Sequence, residues 1–250
     1  MLLLKLGGRI QSDPALPAAL AALWRARPGR VVLVHGGGDQ ISTLQRLRGE
    51  EPVFVGGRRV TTAGALELVR MVLSGLANKQ LVSVLTAAGV PAVGISGEDA
   101  ALLRATPIDL ETFGYAGTPT LVDRRLIDAL LSQQFLPVIS PVATHEDAAV
   151  GGALNVNGDD AAAAIAAALG AEELFLMADV PGVLDADRKR IAVLTLADAH
   201  QLVTSGVAGG GMSAKLDASA RALAGGVRRV RIGDLAALAD PAAGTTVVRA

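Results

Sequence analysis

The chain has 250 residues and a formal net charge of −1, a size that suits one large α/β domain or two intimate lobes. It is 51% hydrophobic, only 2% aromatic and free of cysteine, so its core must be built from Ala, Leu and Val. Disulfides, thiolate metal sites and a cysteine nucleophile are excluded, and there is no basic excess for a nucleic-acid backbone.

The opening MLLLKLGG is too short for a signal-peptide core and reads as a first strand over 1–6. A helix at 14–25, a strand at 31–35, a helix at 40–47 and a long helix at 63–88 follow. Next come a strand at 92–96, a hairpin or loop insertion at 101–121, a helix at 122–133 and a strand at 136–140. Further on are an Ala-rich helix at 159–169, a strand at 174–177, a second insertion at 183–195, helices at 196–205 and 213–225, and a strand at 227–232. Short apolar strands separated by helices indicate a mainly parallel sheet covered on both faces. The Ala-rich run is far shorter than a bilayer requires and is bounded by Asp159 and Glu172, so it is a buried helix. Neither a membrane nor a nucleic acid is expected as a partner. The lack of cysteine fits a cytoplasmic protein.

The stretch VLVHGGGD, residues 32–39, places three consecutive glycines at the end of a strand. Glycine loses more backbone entropy on folding than any other residue, so three together need a reason. An esterase oxyanion hole would require a G-x-S-x-G elbow. The nearest stretch, Gly94-Ile-Ser96-Gly97-Glu98, has its glycine one place early. A Walker loop is also missing. A second glycine turn, Lys5-Leu-Gly7-Gly8, also ends a strand. In parallel sheets ligands lie beyond the carboxyl ends of strands, so two turns of backbone N–H groups and the Lys5 cation meet at one edge. With the helix N-terminus after Gly38, they form an anion cradle.

Three more stretches carry chemistry. Asn155-Val-Asn157-Gly158-Asp159-Asp160 opens the Ala-rich helix with more polar groups than one N-cap needs. Asp179-Val-Pro181-Gly182-Val183-Leu184 ends another strand as a Pro-Gly turn. Gly209-Gly-Gly211-Met212-Ser-Ala-Lys215 leads into a helix with a lysine in its first turns. A cation there opposes the helix dipole unless an anion lies nearby.

In this order, the Lys with Gly-Gly, HGGG, N-x-N-x-D-D, D-V-P-G and G-G-G-M-x-x-K stretches resemble those of the amino acid kinase family. The likeness runs from Leu4 to the terminal Gly244-Thr-Thr-Val. VGGRRVTT, residues 55–62, resembles the family's Gly-x-Arg-Val-Thr element, and Asn78-Lys79 resembles an Asn-Lys pair on its long helix. The resemblance implies a three-layer αβα sandwich of the carbamate kinase-like type. Within one domain spanning 1–250, about 1–150 would bind the acceptor and dimerise, and about 151–250 would bind ATP.

It also implies transfer of phosphate from Mg-ATP, with Mg²⁺ carried by the nucleotide and no dedicated metal ligands. The acceptor implied is the γ-carboxylate of N-acetyl-L-glutamate, in arginine biosynthesis. Lys5 and Lys215 would stabilise the transferring group, with Asp159 holding both lysines. Gly8, Gly37 and Gly38 would donate N–H groups to phosphate and substrate. Arg59 would clamp the α-carboxylate and Asn155 the acetamido acid. Asp179, Gly182, Leu184 and Gly211 would line the ATP site. A carboxylate acceptor is already ionised at neutral pH, so no general base is needed.

Departures from the family pattern are Thr62 after Val-Thr, where many relatives have an acidic residue, and Gly158 in place of a more usual alanine. Family members inhibited by arginine carry an extra N-terminal helix that links dimers, and this sequence starts at the first strand. A homodimer without arginine feedback is the expectation, formed through 63–88. His145 and His200 are expected at the surface or in loops, and Trp24 in packing on the first helix. Two other functions share the pattern: a carrier-protein-linked aminoadipate or glutamate kinase of lysine biosynthesis, and a nucleotide-binding sensor without catalysis.

Overall fold

The computed structural model describes residues 1–249. Thirteen strands occur among them. They are β1 (Leu2–Leu6), β2 (Val31–His35), β3 (Phe54–Val55), β4 (Arg58–Arg59), β5 (Ala92–Gly97), β6 (Leu103–Pro107) and β7 (Ala116–Val122). The others are β8 (Leu136–His145), β9 (Ala153–Val156), β10 (Glu173–Met177), β11 (Val193–Thr195), β12 (Arg229–Gly233) and β13 (Thr245–Val248). Eleven form one sheet in the order β11–β13–β12–β10–β1–β2–β8–β6–β7–β9, with β5 also on β8. β3 and β4 form a separate antiparallel hairpin. The pairings β12–β13, β6–β7 and β8–β9 are antiparallel and the rest of the large sheet is parallel.

Alternation along the central strands sorts the core into two layers. Leu3, Val32, Val34, Leu174, Leu176, Val230 and Ile232 face the helices Gly158–Ala168 and Gly211–Ala224. Leu2, Leu4, Leu6, Val31, Leu33, Phe175 and Met177 face the helix Leu16–Ala26 and the end of the long helix. Successive residues of a strand point to opposite faces, so the period-two apolar runs give an αβα sandwich directly. The alanines of Gly158–Ala168 let the helix Gly211–Ala224 approach closely, and Ala161, Ala162, Ala166, Ala218 and Ala222 are all buried between helix and sheet. Trp24 is buried on the first helix, as expected.

The long helix runs from Ala63 to Ala87 with a wider π-type stretch over Arg70–Ala77. It is long and apolar enough to cross a bilayer by length and composition. Here Val69, Val72, Leu73, Leu81 and Leu85 are buried against the rest of the fold. The helix expected at 122–133 begins at Arg125, because Val122 closes β7. The insertion at 101–121 is the β6–β7 hairpin and joins the main sheet. The insertion at 183–195 ends in the edge strand β11.

Candidate active site

Lys5 lies one residue before the end of β1, paired in register with Leu176 and Val34. It shares the parity of Leu3, so it points to the face covered by Gly158–Ala168 and Gly211–Ala224. Asp159 stands in the first turn of one helix and Lys215 in the second turn of the other. Lys5 Nζ is 3.0 Å from Asp159 Oδ1, and Lys215 Nζ is 3.1 Å from Asp159 Oδ2. Lys5, Asp159 and Lys215 are 8%, 3% and 9% exposed. Two buried cations thus share one carboxylate, which leaves a fixed positive charge of one unit at the carboxyl edge of the sheet.

Burial pushes the Asp159 carboxyl up, but the two ammonium groups outweigh it and its pKa lies below the usual carboxylate value. Burial and the neighbouring Lys5 ammonium pull Lys215 below 10.5 against the pull of Asp159. The lysine near a helix N-terminus is therefore balanced by Asp159 itself.

The polar cluster 155–160 divides its work. Asn157 is the N-cap, its side chain accepting from the N–H groups of Asp159 at 2.8 Å and Asp160 at 3.4 Å. Asn155 Nδ2 donates to Thr61 Oγ1 at 2.9 Å. Asp159 takes the lysines and Asp160 takes two arginines.

A cleft of about 470 Å³ opens at this edge, lined by Lys5, Gly8, Gly38, Asp159, Gly211 and Lys215 among others. Asp179 stands on its rim, paired with Arg9 at 2.8 Å. Gly37 lines an adjoining cavity of about 310 Å³ that shares Gly8, Arg9 and Asp39. A Cβ on Gly37 would lie 2.7 Å from Leu73 Cδ2, so the long helix approaches this turn too closely for a side chain without rearrangement. Arg59 and Asn155 meet in a separate hollow between the β3–β4 hairpin and β7. Arg59 donates to the Gly38 carbonyl and to Ser42 Oγ at 2.9 and 2.8 Å, and also to Gln45 Oε1. Three of its five N–H donors are engaged, which leaves two. Its bond to Gly38 joins the hollow to the main cleft.

Gly182 and Leu184 do not line the cleft. Gly182 packs on β13, where a Cβ would sit 2.6 Å from Thr245 Oγ1, and Leu184 bridges to Arg190.

His35 has the parity of Leu33 and faces the long helix. Its Nδ1 is 3.0 Å from the Gly36 carbonyl and its Nε2 is 3.0 Å from Asn78 Nδ2. Nδ1 therefore carries the proton and donates, while Nε2 accepts. Burial lowers its pKa to about 4, so the ring is neutral and structural. Asn78 also donates to the Val138 carbonyl at 2.9 Å, and Lys79 ties the helix to the Gly94 carbonyl at 2.9 Å. His145 is half-buried as the last residue of β8, and His200 is exposed on a helix.

Sequence reasoning missed Arg9, Asp39, Asp160 and Arg221. The doubled aspartate was the available signal for Asp160. Nothing local marks Arg221, whose partner is 61 residues away.

Comparison with known proteins agrees with this architecture. The sequence pattern of the amino acid kinase family matches residues 1–234. A Wolinella succinogenes protein named acetylglutamate kinase is 41% identical over 93% of this chain and 83% of its own. One of the same name from Geobacillus stearothermophilus is 41% identical over 92% of this chain and 88% of its own. The crystal structure of smu.665 from Streptococcus mutans superposes with a TM-score of 0.85 at 29% identity, covering 93% of this chain and 94% of that one. The fold and the site define an α/β protein with a cationic cleft at the carboxyl edge of its sheet. The chain belongs to the amino acid kinase family.

Proposed function

We propose that the protein is an acetylglutamate kinase, transferring the γ-phosphoryl group of ATP to the side-chain carboxylate of N-acetyl-L-glutamate in arginine biosynthesis. The observation that carries this reading is the buried Lys5–Asp159–Lys215 set between two glycine turns, in a chain about 40% identical to proteins of that name.

The reaction breaks the bond between the γ-phosphorus and the bridging oxygen of ATP and forms one to a carboxylate oxygen. The products are ADP and N-acetylglutamyl 5-phosphate, and no proton needs to move. Such a step needs positioning and charge neutralisation more than covalent help. Lys5 and Lys215 meet the charge spread over the transferring group, and Asp159 fixes their separation. Gly8, Gly37 and Gly38 supply N–H donors, Arg59 meets the α-carboxylate with a donor that Gly38, Ser42 and Gln45 leave free, and Asn155 takes the acetamido end. Asp179 and Gly211 border the nucleotide at the cleft. Gly182 and Leu184 serve it indirectly by shaping the 181–191 loop.

The described residues hold no cluster of three acidic or histidine side chains fit for an ion, and Asp159 is occupied by the lysines. Mg²⁺ suits the nucleotide's own phosphate oxygens and water, where it would neutralise phosphate charge.

In this reading about 1–150, joined by Asn155, bind the acceptor and the rest of about 151–250 binds the nucleotide, within one shared sheet. The assembly is a homodimer in the cytoplasm. The exposed Met71 and Leu76 on the long helix support that helix as the contact, and a monomer in sedimentation would refute it. The test of function is ADP release with N-acetylglutamate, N-acetyl-aminoadipate or free glutamate as acceptor. Release with N-acetylglutamate alone supports the reading. Release only with N-acetyl-aminoadipate or free glutamate, or with none of the three, refutes it.

A further inference from the structure

Asp160 is 3% exposed and follows the carboxylate held by the lysines, yet Asn157 already caps the helix. Its Oδ2 accepts from Arg58 Nη1 at 2.5 Å and its Oδ1 from Arg221 Nη2. These arginines belong to different parts of the fold. Arg58 is on β4 of the small hairpin, next to Arg59. Arg221 is on the helix that carries Lys215.

Apart from Arg59, whose guanidinium bonds to Gly38, Ser42 and Gln45, the hairpin has few ties to the rest of the fold. Its strands pair only with each other, and Phe54 and Val55 are exposed. Gly56 and Gly57 turn it with φ of +55° and +77°, and its tip reaches the glycine loop at Gly210. A buried carboxylate requires partners, and this one finds them across that gap.

We infer that Asp160 is a positioning residue that latches the β3–β4 hairpin, through Arg58, onto the helices bearing Asp159 and Lys215, so that Arg59 is held over the acceptor site. The acceptor part of this inference rests on the assignment of Arg59 above. When only a fraction of molecules holds the hairpin closed, apparent acceptor affinity falls by that fraction. Losing one charge-assisted hydrogen bond shifts such an equilibrium by roughly tenfold or more.

The variant Asp160→Asn keeps the shape and removes the charge. Its arginines are partly exposed, with 25% and 48% of their side chains accessible, and can hydrate. Hydrogen exchange of amides 53–60 in the ligand-free protein should quicken by about tenfold. The KM for N-acetylglutamate should rise by about the same factor while kcat and the KM for ATP stay within about threefold. Arg58→Ala, on the exposed hairpin, should do the same, and the double variant should be no worse than either single.

Unchanged hairpin exchange in Asp160→Asn overturns the latch, as do fully multiplicative effects in the double variant. Exchange is read without substrate, so a loosened hairpin with unchanged KM overturns the Arg59 assignment and leaves the latch standing.

Discussion

Replacing Asp159 with asparagine would leave Lys5 and Lys215 buried, with their shared counter-charge gone and the shape retained. Removing one partner of a buried ion pair costs about 3–5 kcal/mol. For a domain of this size each kcal/mol moves the melting midpoint by about 2–4 °C, so Asp159→Asn should melt roughly 6–20 °C below wild type at pH 7. The deficit should depend on pH in a defined direction. Lys215 already has a folded pKa below its ordinary value of 10.5, and losing Asp159 lowers it further. The unfolded chain then binds more protons than the folded one, so stability rises with pH. Thermal unfolding of both proteins at pH 7 and pH 9 should show the gap narrowing. Tripolyphosphate, which replaces the missing negative charge, should narrow it too. An Asp159→Asn midpoint within about 2 °C of wild type at pH 7, or a gap that widens with pH, would refute this account of the site's electrostatics.

Lys215→Ala should lower kcat by at least about 10²-fold in steady-state assays, as expected on removing a partner of transition-state charge. A wild-type kcat would dismiss it from the chemistry. Arg59→Ala should act mainly on the KM of the amino-acid substrate, and an effect confined to kcat would contradict its role as a clamp. His35 titrates at about 4 in the fold against 6.5 in its absence. The unfolded chain therefore binds more protons between those values, and the stability is complete above pH 6.5 and lost as pH falls toward 4. The loss amounts to about 3 kcal/mol, and His35→Gln should flatten this part of a urea-unfolding series against pH.

Much of the site was legible because strand parity carries information. Lys5 stands one residue before the end of β1 and His35 at the end of β2, and the resulting opposite parity sends one to Asp159 and the other to Asn78. The strands β1, β2 and β10 stood out as continuous apolar runs, as buried parallel strands do. β9 and β13 were missed because Ala153–Val156 and Thr245–Val248 are four residues each, too short for a period to show. The two-residue strands of the β3–β4 hairpin gave no period at all. The π-type stretch Arg70–Ala77 reads as ordinary helix, since its apolar spacing hardly differs from that of an α-helix. Roles for Lys5, Lys215 and Asp159 came from ordered motifs rather than from spacing, and the structure brings the three within bonding distance. The Arg58–Asp160–Arg221 set was invisible because its members lie 102 and 61 residues apart, and only the folded chain joins them.

The central claim is that the two lysines and Asp159 drive phosphate onto a carboxylate. The most direct test is trapping with hydroxylamine during turnover of Mg-ATP and N-acetylglutamate, because an acyl phosphate yields a hydroxamate. Wild type should form hydroxamate in step with ADP, and Lys215→Ala should form it at least about 10²-fold more slowly. ADP release without hydroxamate, or equal hydroxamate rates in the two proteins, would contradict the account.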